Sequence, residues 1–365
     1  MANKQNFRSE VSRMRVHVTE LRNGDRLTND TFNGYGLHVL SKGTVLGEYE
    51  ISRLFQHQID YVNIESRPDE QPPGRTLESD LNPKWLPAVQ PVYEQSVRET
   101  EQLFMKALQN GMIDDEQVEQ AFLPFVEQFQ MERDIVSILL LANTKDAYTY
   151  QHSVQVGMIS HYLATWLGYP EKEAARIGKA GFLHDIGKSR IEAEILNKPG
   201  RLTEEEFERV KQHTVYGYDI IRSSYIGQDD LAICALQHHE RMNGTGYPHG
   251  LHGADIHPYA KIIAVADVYS AMISARVYQQ KRDLLYVLQE LHRMSFEELD
   301  AHTTHTFIRH MIPNFIGKRV KLSSGETGII VMTHPSDFFR PLIRLDDRFV
   351  DLSIDRSLEV CEIYL

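Results

Sequence analysis

Short segments in which apolar and polar residues alternate dominate the first 66 positions, and this period of two predicts β-strands. The segments are residues 16–18, 34–36, 38–40 and 61–64, separated by turn-forming residues. Residues 67–74 then contain three prolines and a glycine, which disfavour regular structure. We therefore predict a small β-rich N-terminal module of unknown role over residues 1–66 and a linker over residues 67–90.

Between residues 91 and 312 the apolar spacing changes to three and four, which predicts helices. One such repeat comprises Val97, Thr100, Leu103, Phe104 and Leu108. Thr203 and Glu206 have the spacing of a capping box, which predicts a helix beginning after Thr203. Residues 260–275 are largely apolar with Asp267 in their middle. A carboxylate in such a helix is costly to bury unless it is paired or binds a metal.

From residue 313 the pattern returns to a period of two. Residues 320–322 and 327–331 flank a Ser-Ser-Gly-Glu turn and predict a hairpin, which residues 342–345 and 349–352 extend. The whole pattern predicts a mainly α fold. It has a helical bundle domain over residues 91–312, the small β-rich module before it, and a short β extension over residues 313–365.

Charge and cysteine content narrow the classes of protein to consider. The sequence has 39 Lys and Arg against 51 Asp and Glu, a net charge of −12, which argues against binding a DNA or RNA polymer because that needs a basic face. Two cysteines, Cys234 and Cys361, are too few for a disulfide framework and indicate a reducing, cytoplasmic compartment. We find no apolar run that could cross a bilayer and no secretion signal, so we expect no membrane association.

Histidines change this picture, because nine of the 17 lie between His152 and His257. The candidate metal ligands are His152, His184, Asp185, His213, His238, His239 and Asp267. Each alone is more typical of a structural, hydrogen-bonded residue, but a helix bundle can bring inward-facing ligands together. Seven nitrogen and oxygen donors are too many for one zinc ion and suit two adjacent ions that share a carboxylate. Without thiolates they fit iron, manganese or zinc, and paired ions are typical of phosphoester hydrolysis.

Two more features accompany these ligands. Lys188 follows His184 by four residues, so in a continuing helix it lies on the same side and can hold a phosphate oxygen; the alternative is a solvated helix-end lysine. Residues 240–253 contain four glycines and a proline, which predict a structured loop. Tyr247 in this loop can stack on a base or donate to a phosphate, although Tyr-Pro turns are also common structural corners.

Together these motifs resemble the HD-GYP subgroup of the HD-domain phosphohydrolases, which are bacterial phosphodiesterases of the second messenger cyclic di-GMP. The matching residues are His152, Leu183 to Lys188, Lys198 to Thr203, His213, His238 to Arg241, Gly246 to Pro248, Asp267 to Tyr269 and Arg276. The flanking β segments also resemble modules that accompany this domain. The resemblance implies an HD-type helical catalytic domain.

The resemblance also implies roles for the matching residues. One ion is expected on His152, His184, Asp185 and Asp267, and the other on Asp185, His213, His238 and His239, with Asp185 bridging. Lys188 is then expected to contact the scissile phosphate, and Tyr247 and Arg276 the nucleotide. Asp185 and Lys188 are the expected catalytic residues, and the cofactors are two divalent ions, with iron or manganese favoured.

Four positions depart from the family pattern. Tyr148 stands where some members have a glutamate that binds a third metal, so we expect two ions here. Asn243 and Ser270 replace aspartates that are common in the family, but neither is a metal position, so we expect tuning of the site. Gln279 stands where a basic residue is common.

The leading hypothesis is a metal-dependent phosphodiesterase that opens cyclic di-GMP to linear pGpG by hydroxide attack, with further cleavage to GMP left open. The alternatives are a non-catalytic cyclic di-GMP receptor and an HD phosphohydrolase that acts on another cyclic dinucleotide. A homodimer and protein signalling partners are left open as well.

Overall fold

The computed structural model describes residues 13–18, 21–32, 38–57, 59, 61–65, 86–129, 148–198, 200–274, 284–334, 337–346 and 348–364. Its N-terminal part pairs β1 (Arg13–His17) with β4 (Tyr61–Glu65) and β2 (Thr31–Phe32) with β3 (His38–Leu40), both antiparallel. Leu27, Leu54 and Ile64 lie in a separate core beneath these strands. The predicted segment 34–36 lies outside the described residues.

One helix in this part was not predicted. Helix α1 (Glu48–Gln56) lies between β3 and β4 and buries Leu54. The predicted β-rich module thus contains one helix beside its four strands in the described residues. Short amphipathic helices of this length are hard to distinguish from strands by periodicity, because they contain only about two turns.

The central part is helical, as the spacing of apolar residues predicts. Its helices are α2 (Leu86–Asn110), α3 (Asp115–Phe129), α4 (Tyr148–Trp166), α5 (Glu171–Leu183), α6 (Ala193–Leu196), α7 (Glu204–Lys211), α8 (His213–Ser224), α9 (Asp229–Gln237), α10 (Pro258–Ser274), α11 (Leu284–Met294) and α12 (Ala301–Met311), with 3-10 helices at Ile186–Arg190 and Ile312–Phe315. Both predicted halves of the capping box at the start of α7 are present, between Thr203 and Glu206. Helix α2 begins at Leu86, which corrects the predicted end of the linker at residue 90; Pro91 lies early in α2 without ending it.

Close packing of α4 against α5 depends on glycine. A Cβ added to Gly157 would lie 2.8 Å from Phe182 Cβ, and one added to Gly178 would lie 2.8 Å from His161 Cβ. Contacts this short exclude larger side chains without a shift of the helices. The glycines therefore let the two helices approach and set the relative positions of His152 on α4 and His184 just after α5.

The C-terminal part is an antiparallel sheet with strand order β8-β7-β6-β5-β9. Its strands are β5 (Arg319–Leu322), β6 (Thr327–Met332), β7 (Leu342–Arg344), β8 (Phe349–Asp351) and β9 (Val360–Tyr364). The predicted hairpin of β5 and β6 is confirmed, with Val320 opposite Gly328, whereas β9 was not predicted. Ile330 and Ile343 of this sheet belong to the same core as Phe307 of α12.

The structure also describes both cysteines and the length and apolar character of the helices. Cys234 is buried, Cys361 is exposed, and both are free thiols. Among the helices of the described ranges, none combines the length and the apolar character needed to span a membrane.

Candidate metal centre

Five elements of the helical part bring the seven candidate ligands together. His152 lies on α4, His184 and Asp185 follow α5, His213 begins α8, His238 and His239 follow α9, and Asp267 lies in the middle of α10. Six of them are buried, and only His239 is partly exposed, with 18% of its side chain accessible. The seven residues thus converge in one buried cluster, although they come from segments more than 100 residues apart.

Asp185 lies at the centre of this cluster, and its two oxygens face different histidines. Oδ2 lies 3.3 Å from His184 Nε2 and 3.8 Å from His152 Nε2. Oδ1 lies 3.3 Å from His213 Nε2 and 3.8 Å from His238 Nε2. This carboxylate is thus shared by two groups of nitrogen donors, the arrangement expected of a ligand between two ions.

Asp267 is the second carboxylate of the cluster. Its Oδ1 lies 3.0 Å from His152 Nε2 and 3.9 Å from His184 Nε2. Its Oδ2 lies 3.7 Å from His239 Nδ1. Asp267 therefore adjoins the group expected to hold the first ion and also approaches one histidine of the second group.

Hydrogen bonds at Nδ1 turn the Nε2 atoms of four histidines toward the cluster. Three of the Nδ1 atoms lie within hydrogen-bond distance of the carbonyl three residues earlier: His184 with Gly181 (2.7 Å), His213 with Val210 (2.6 Å) and His238 with Ala235 (2.9 Å). The fourth, on His152, lies 2.9 Å from Ser270 Oγ. A proton held at Nδ1 leaves the Nε2 lone pair for a metal, which is how outer partners usually fix a ligating imidazole.

Two atoms of the cluster provide a test of whether a metal fits. His184 Nε2 and Asp185 Oδ1 are buried and have no hydrogen-bond partner among the described residues. Unpaired buried polar atoms cost free energy, and a bound cation would satisfy both. With imidazole and carboxylate donors and no thiolate, the residues fit one or two divalent ions of the iron, manganese or zinc type.

The histidines on the Oδ1 side of Asp185 are held neutral. Burial lowers the pKa of His213 to about 4, although the charge of Asp185 opposes this shift. Burial likewise holds the pKa values of His238 and His239 well below their usual range. His184 differs: burial acts to lower its pKa, but Asp185 outweighs this and the pKa is raised. Neutral imidazole is the form that binds metal, so three of these residues are ready to ligate at neutral pH.

The carboxylates are held ionised. Burial alone would raise the pKa of Asp185, but His184 and Lys188 outweigh this and hold it well below its usual range. Burial is outweighed in the same way at Asp267, where the hydrogen bond with His152 holds the pKa of the carboxyl low. Both acids are therefore available as anionic ligands.

Lys188 reaches the cluster by a different route from the one its spacing suggested. Helix α5 ends at Leu183 and Lys188 lies in the 3-10 helix that follows, so the condition of a continuing helix is not met. Its Nζ nevertheless donates to Asp185 Oδ2 at 2.6 Å. This turn requires Gly187, because a Cβ there would lie 1.9 Å from the carbonyl oxygen of His213.

The glycine-rich segment is an ordered loop over the Oδ1 side, as predicted. Glu240 is buried, and its carboxylate accepts hydrogen bonds from the backbone N–H groups of His249 and Leu251, both at 2.8 Å. A Cβ at Gly246 would lie 2.4 Å from the carbonyl oxygen of His239, so only glycine fits where the loop meets the ligand pair. Glu240 thus closes the loop around this point.

Tyr247 lies at the inner edge of this loop. Its ring centroid is 4.6 Å from that of His239, and its backbone N–H donates to the His239 carbonyl at 3.2 Å. On its other side lies α7, where Lys211 Nζ is 5.6 Å from the Tyr247 ring and 4.9 Å from the Phe207 ring. An aromatic and a cationic group therefore border the partly exposed edge of the cluster.

Three positions named from the sequence lie at or beyond the edges of the described ranges. Arg276 and Gln279 lie outside the described residues, so the predicted nucleotide contact of Arg276 stays a prediction. Tyr148 is the first residue of α4.

Sequence reasoning missed the contacts that Glu240, Ser270 and Lys211 make around the cluster. Their partners are distant in sequence or are backbone groups. Two sequence features could have pointed to these contacts. Glu240 comes directly after the histidine pair, and Ser270 departs from the family pattern.

Comparison with known proteins agrees with this geometry. The family model described as HD domain matches residues 136–303. A cyclic di-GMP phosphodiesterase of Pseudomonas aeruginosa, PA4108, is 33% identical over 57% of this chain and 50% of its own length. A cyclic di-GMP phosphodiesterase of Thermotoga maritima is 36% identical over 56% of each chain. The 3'3'-cGAMP-specific phosphodiesterase 1 of Vibrio cholerae is 36% identical over 51% of this chain and 44% of its own length.

By these comparisons, the helical part of this protein is similar to an HD domain. The resemblance to cyclic di-GMP phosphodiesterases that the motifs indicated is confirmed over this part of the chain. The chain spans about half the length of the curated relatives that it matches.

Proposed function

We propose that this protein is a metal-dependent phosphodiesterase that hydrolyses cyclic di-GMP to linear pGpG. The observation that carries the proposal is the position of Asp185, whose two oxygens face separate groups of histidines at 3.3 to 3.8 Å. Such a shared carboxylate suits two adjacent ions, and two adjacent ions suit in-line displacement at phosphorus.

The proposed ligand sets follow the two oxygens of Asp185. His152, His184 and Asp267 join Oδ2 around one ion, and His213, His238 and His239 join Oδ1 around the other. When bound, the ions activate water for attack on phosphorus and offset negative charge on the phosphoryl oxygens. Iron or manganese is the proposed metal, because the donors are imidazole and carboxylate.

The remaining residues bind and orient the substrate. Lys188 holds Asp185 in its ionised form and, from the same position, offers its ammonium group to a phosphate oxygen. Tyr247 offers an aromatic edge beside His239, and Lys211 adds a positive charge behind it. Arg276 is proposed as a further nucleotide contact. These cations and two ions supply the local positive charge that a dianionic dinucleotide requires, although the whole chain carries −12.

A second substrate is favoured by one observation. One relative of similar identity is named as specific for 3'3'-cGAMP, which shares the cyclic dinucleotide backbone and differs in one base. The metal cluster acts on the shared phosphodiester, so the choice between these substrates depends on contacts with the base. We propose cyclic di-GMP because the relatives at 33% and 36% identity bear that activity in their names.

The test is a product assay with the full chain. Anaerobically purified protein is stripped of metal, reloaded with manganese or iron, and incubated separately with cyclic di-GMP, 3'3'-cGAMP and cyclic di-AMP. Liquid chromatography should show pGpG forming fastest from cyclic di-GMP. Binding of cyclic di-GMP without turnover under either metal would contradict the proposal and favour a non-catalytic receptor. Faster turnover of 3'3'-cGAMP would reassign the substrate.

A further inference from the structure

We infer that Ser270 is a positioning residue that fixes His152 as a metal ligand, an inference that rests on the proposed metal centre. Ser270 lies on α10, three residues after Asp267, and is buried. Its Oγ lies 2.9 Å from His152 Nδ1, on the side of the imidazole that faces away from the cluster. It thus contacts the ligand without contacting the ion.

The direction of this hydrogen bond is set by a third residue. Ser270 Oγ donates to Gln155 Oε1 at 2.8 Å, and Gln155, one turn after His152 on α4, is also buried. Because the hydroxyl proton is used toward Gln155, Ser270 Oγ is left to accept the proton of His152 Nδ1. Nε2 on the other side of the ring lies 3.0 Å from Asp267 Oδ1, to which it can donate in the metal-free chain. With Nδ1 protonated and held by Ser270, Nε2 can give up its proton and offer its lone pair to a metal.

Gln155 is itself held from a further element. Its side chain hydrogen-bonds the hydroxyl of Tyr93 on α2, which fixes the orientation of the amide. The chain of contacts therefore runs from α2 through Gln155 and Ser270 to His152. This chain of contacts holds the Nδ1 side of His152 through residues that are not themselves candidate ligands.

His152 differs in this respect from three other ligands of the cluster. His184, His213 and His238 place Nδ1 next to a backbone carbonyl three residues earlier, which no substitution removes. The partner of His152 is a side chain 118 residues away. A single substitution can therefore release this ligand while leaving the Nδ1 contacts of the other three in place.

The consequence is a selective effect on one ion. Losing an outer hydrogen bond of a ligating histidine typically weakens metal binding about tenfold to a hundredfold. Ser270→Ala should therefore weaken the ion on the Oδ2 side of Asp185, which uses His152, by about tenfold. The ion on the Oδ1 side uses His213, His238 and His239 and should keep its affinity.

The experiment is a manganese titration of the metal-free full chain, followed by elemental analysis after gel filtration. Ser160→Ala is the matched control, because Ser160 is also a buried serine of the helical part and its Oγ has no hydrogen-bond partner in the described residues. Wild type and Ser160→Ala should each retain two ions per chain. Ser270→Ala should retain one tight ion and bind the second about tenfold more weakly. Two ions of unchanged affinity in Ser270→Ala would overturn the inference.

If Ser270→Ala does not fold, variants of Gln155 test whether Ser270 positions His152. Gln155→Glu keeps an acceptor for the Ser270 hydroxyl, whereas Gln155→Leu removes it. Weaker binding of one ion in Gln155→Leu alone supports the inference, and equal affinities in the two variants overturn it. The proposed activity is judged separately: wild type that binds two ions but hydrolyses no cyclic dinucleotide refutes the proposed function and leaves the role of Ser270 intact.

Discussion

The two sides of Asp185 are built differently. On the Oδ2 side, His152 and His184 are buried, Asp267 lies close to both, and Lys188 donates to the oxygen itself. On the Oδ1 side, His213 and His238 are equally buried, but the adjacent His239 is partly exposed beside Tyr247. The second side is where the cluster meets the glycine-rich loop.

The partly exposed groups mark where a substrate of the proposed enzyme can approach the centre. They are Lys188 beside Oδ2, and His239 with Tyr247 and Lys211 beside the Oδ1 side. Asp185 joins the two, so it is the one ligand whose loss should affect both sides equally.

The largest expected effect therefore comes from Asp185→Ala. The variant loses the carboxylate shared by both ligand groups and the oxygen to which Lys188 donates, so hydrolysis of cyclic di-GMP should fall by at least about a thousandfold. Elemental analysis should show fewer than two ions per chain. Activity within tenfold of wild type, in a variant whose circular dichroism is unchanged, would show that hydrolysis does not require Asp185.

Lys188→Met should have the next largest effect and tests the Oδ2 side of Asp185. It removes the ammonium group proposed to hold a phosphate oxygen but keeps the length of the side chain, so kcat should fall by about a hundredfold. Metal content should remain at two ions per chain, because Lys188 is not a ligand. Lys198→Met is the control, since Lys198 Nζ donates to Glu206, which is not a candidate ligand. Equal losses in both variants would refute the assigned role.

Variants of Tyr247 test the Oδ1 side, where His239 is partly exposed. Tyr247→Ala removes an aromatic surface next to His239 and should raise KM for cyclic di-GMP about tenfold, with kcat changing less. Tyr247→Phe keeps the ring and should stay within about twofold of wild type if stacking is its role. A loss in Tyr247→Phe as large as in Tyr247→Ala would instead assign the hydroxyl as the contact.

The smallest expected effect is the response of the metal-free chain to pH. The pKa of His213 is about 4 when folded, below its usual value of 6.5, so its contribution to stability is present above pH 6.5 and lost as pH falls toward 4. His184 has a raised pKa, so its contribution is present below pH 6.5 and lost as pH rises through the folded value. The two sides thus oppose each other.

Thermal unfolding between pH 7.5 and pH 5 measures this opposition. Relative to wild type, the drop in melting temperature between pH 7.5 and pH 5 should be smaller in His213→Gln and larger in His184→Gln. Each difference should be on the order of a few degrees. The same slope in both variants would show that the two histidines do not differ in their protonation.

Much of this molecule could be predicted from the sequence because its signals are local. The capping box at Thr203, the hairpin of β5 and β6, and the apolar helix around Asp267 each depend on residues close in sequence. The candidate ligands could be identified from residue type and family motif. Their convergence, with Asp185 at the centre, depends on how five elements pack.

What could not be predicted depends on contacts between distant segments. Lys188 reaches Asp185 from a 3-10 helix that packs against α8 where only Gly187 fits. The spacing from His184 placed Lys188 near that ligand only on the condition that the helix continued. The hydrogen bond of His152 to Ser270 joins residues 118 apart, so no local pattern announces it. Helix α1 was missed because a helix of nine residues leaves too short a period to detect.

The central claim is that Asp185 is shared by two ions, and electron paramagnetic resonance of the manganese-loaded full chain tests it most directly. Wild type should bind two ions per chain and give the spectrum of an exchange-coupled pair, while Asp185→Ala should give only uncoupled manganese. One ion per wild-type chain with an isolated six-line spectrum, or a coupled pair that persists in Asp185→Ala, would contradict the account.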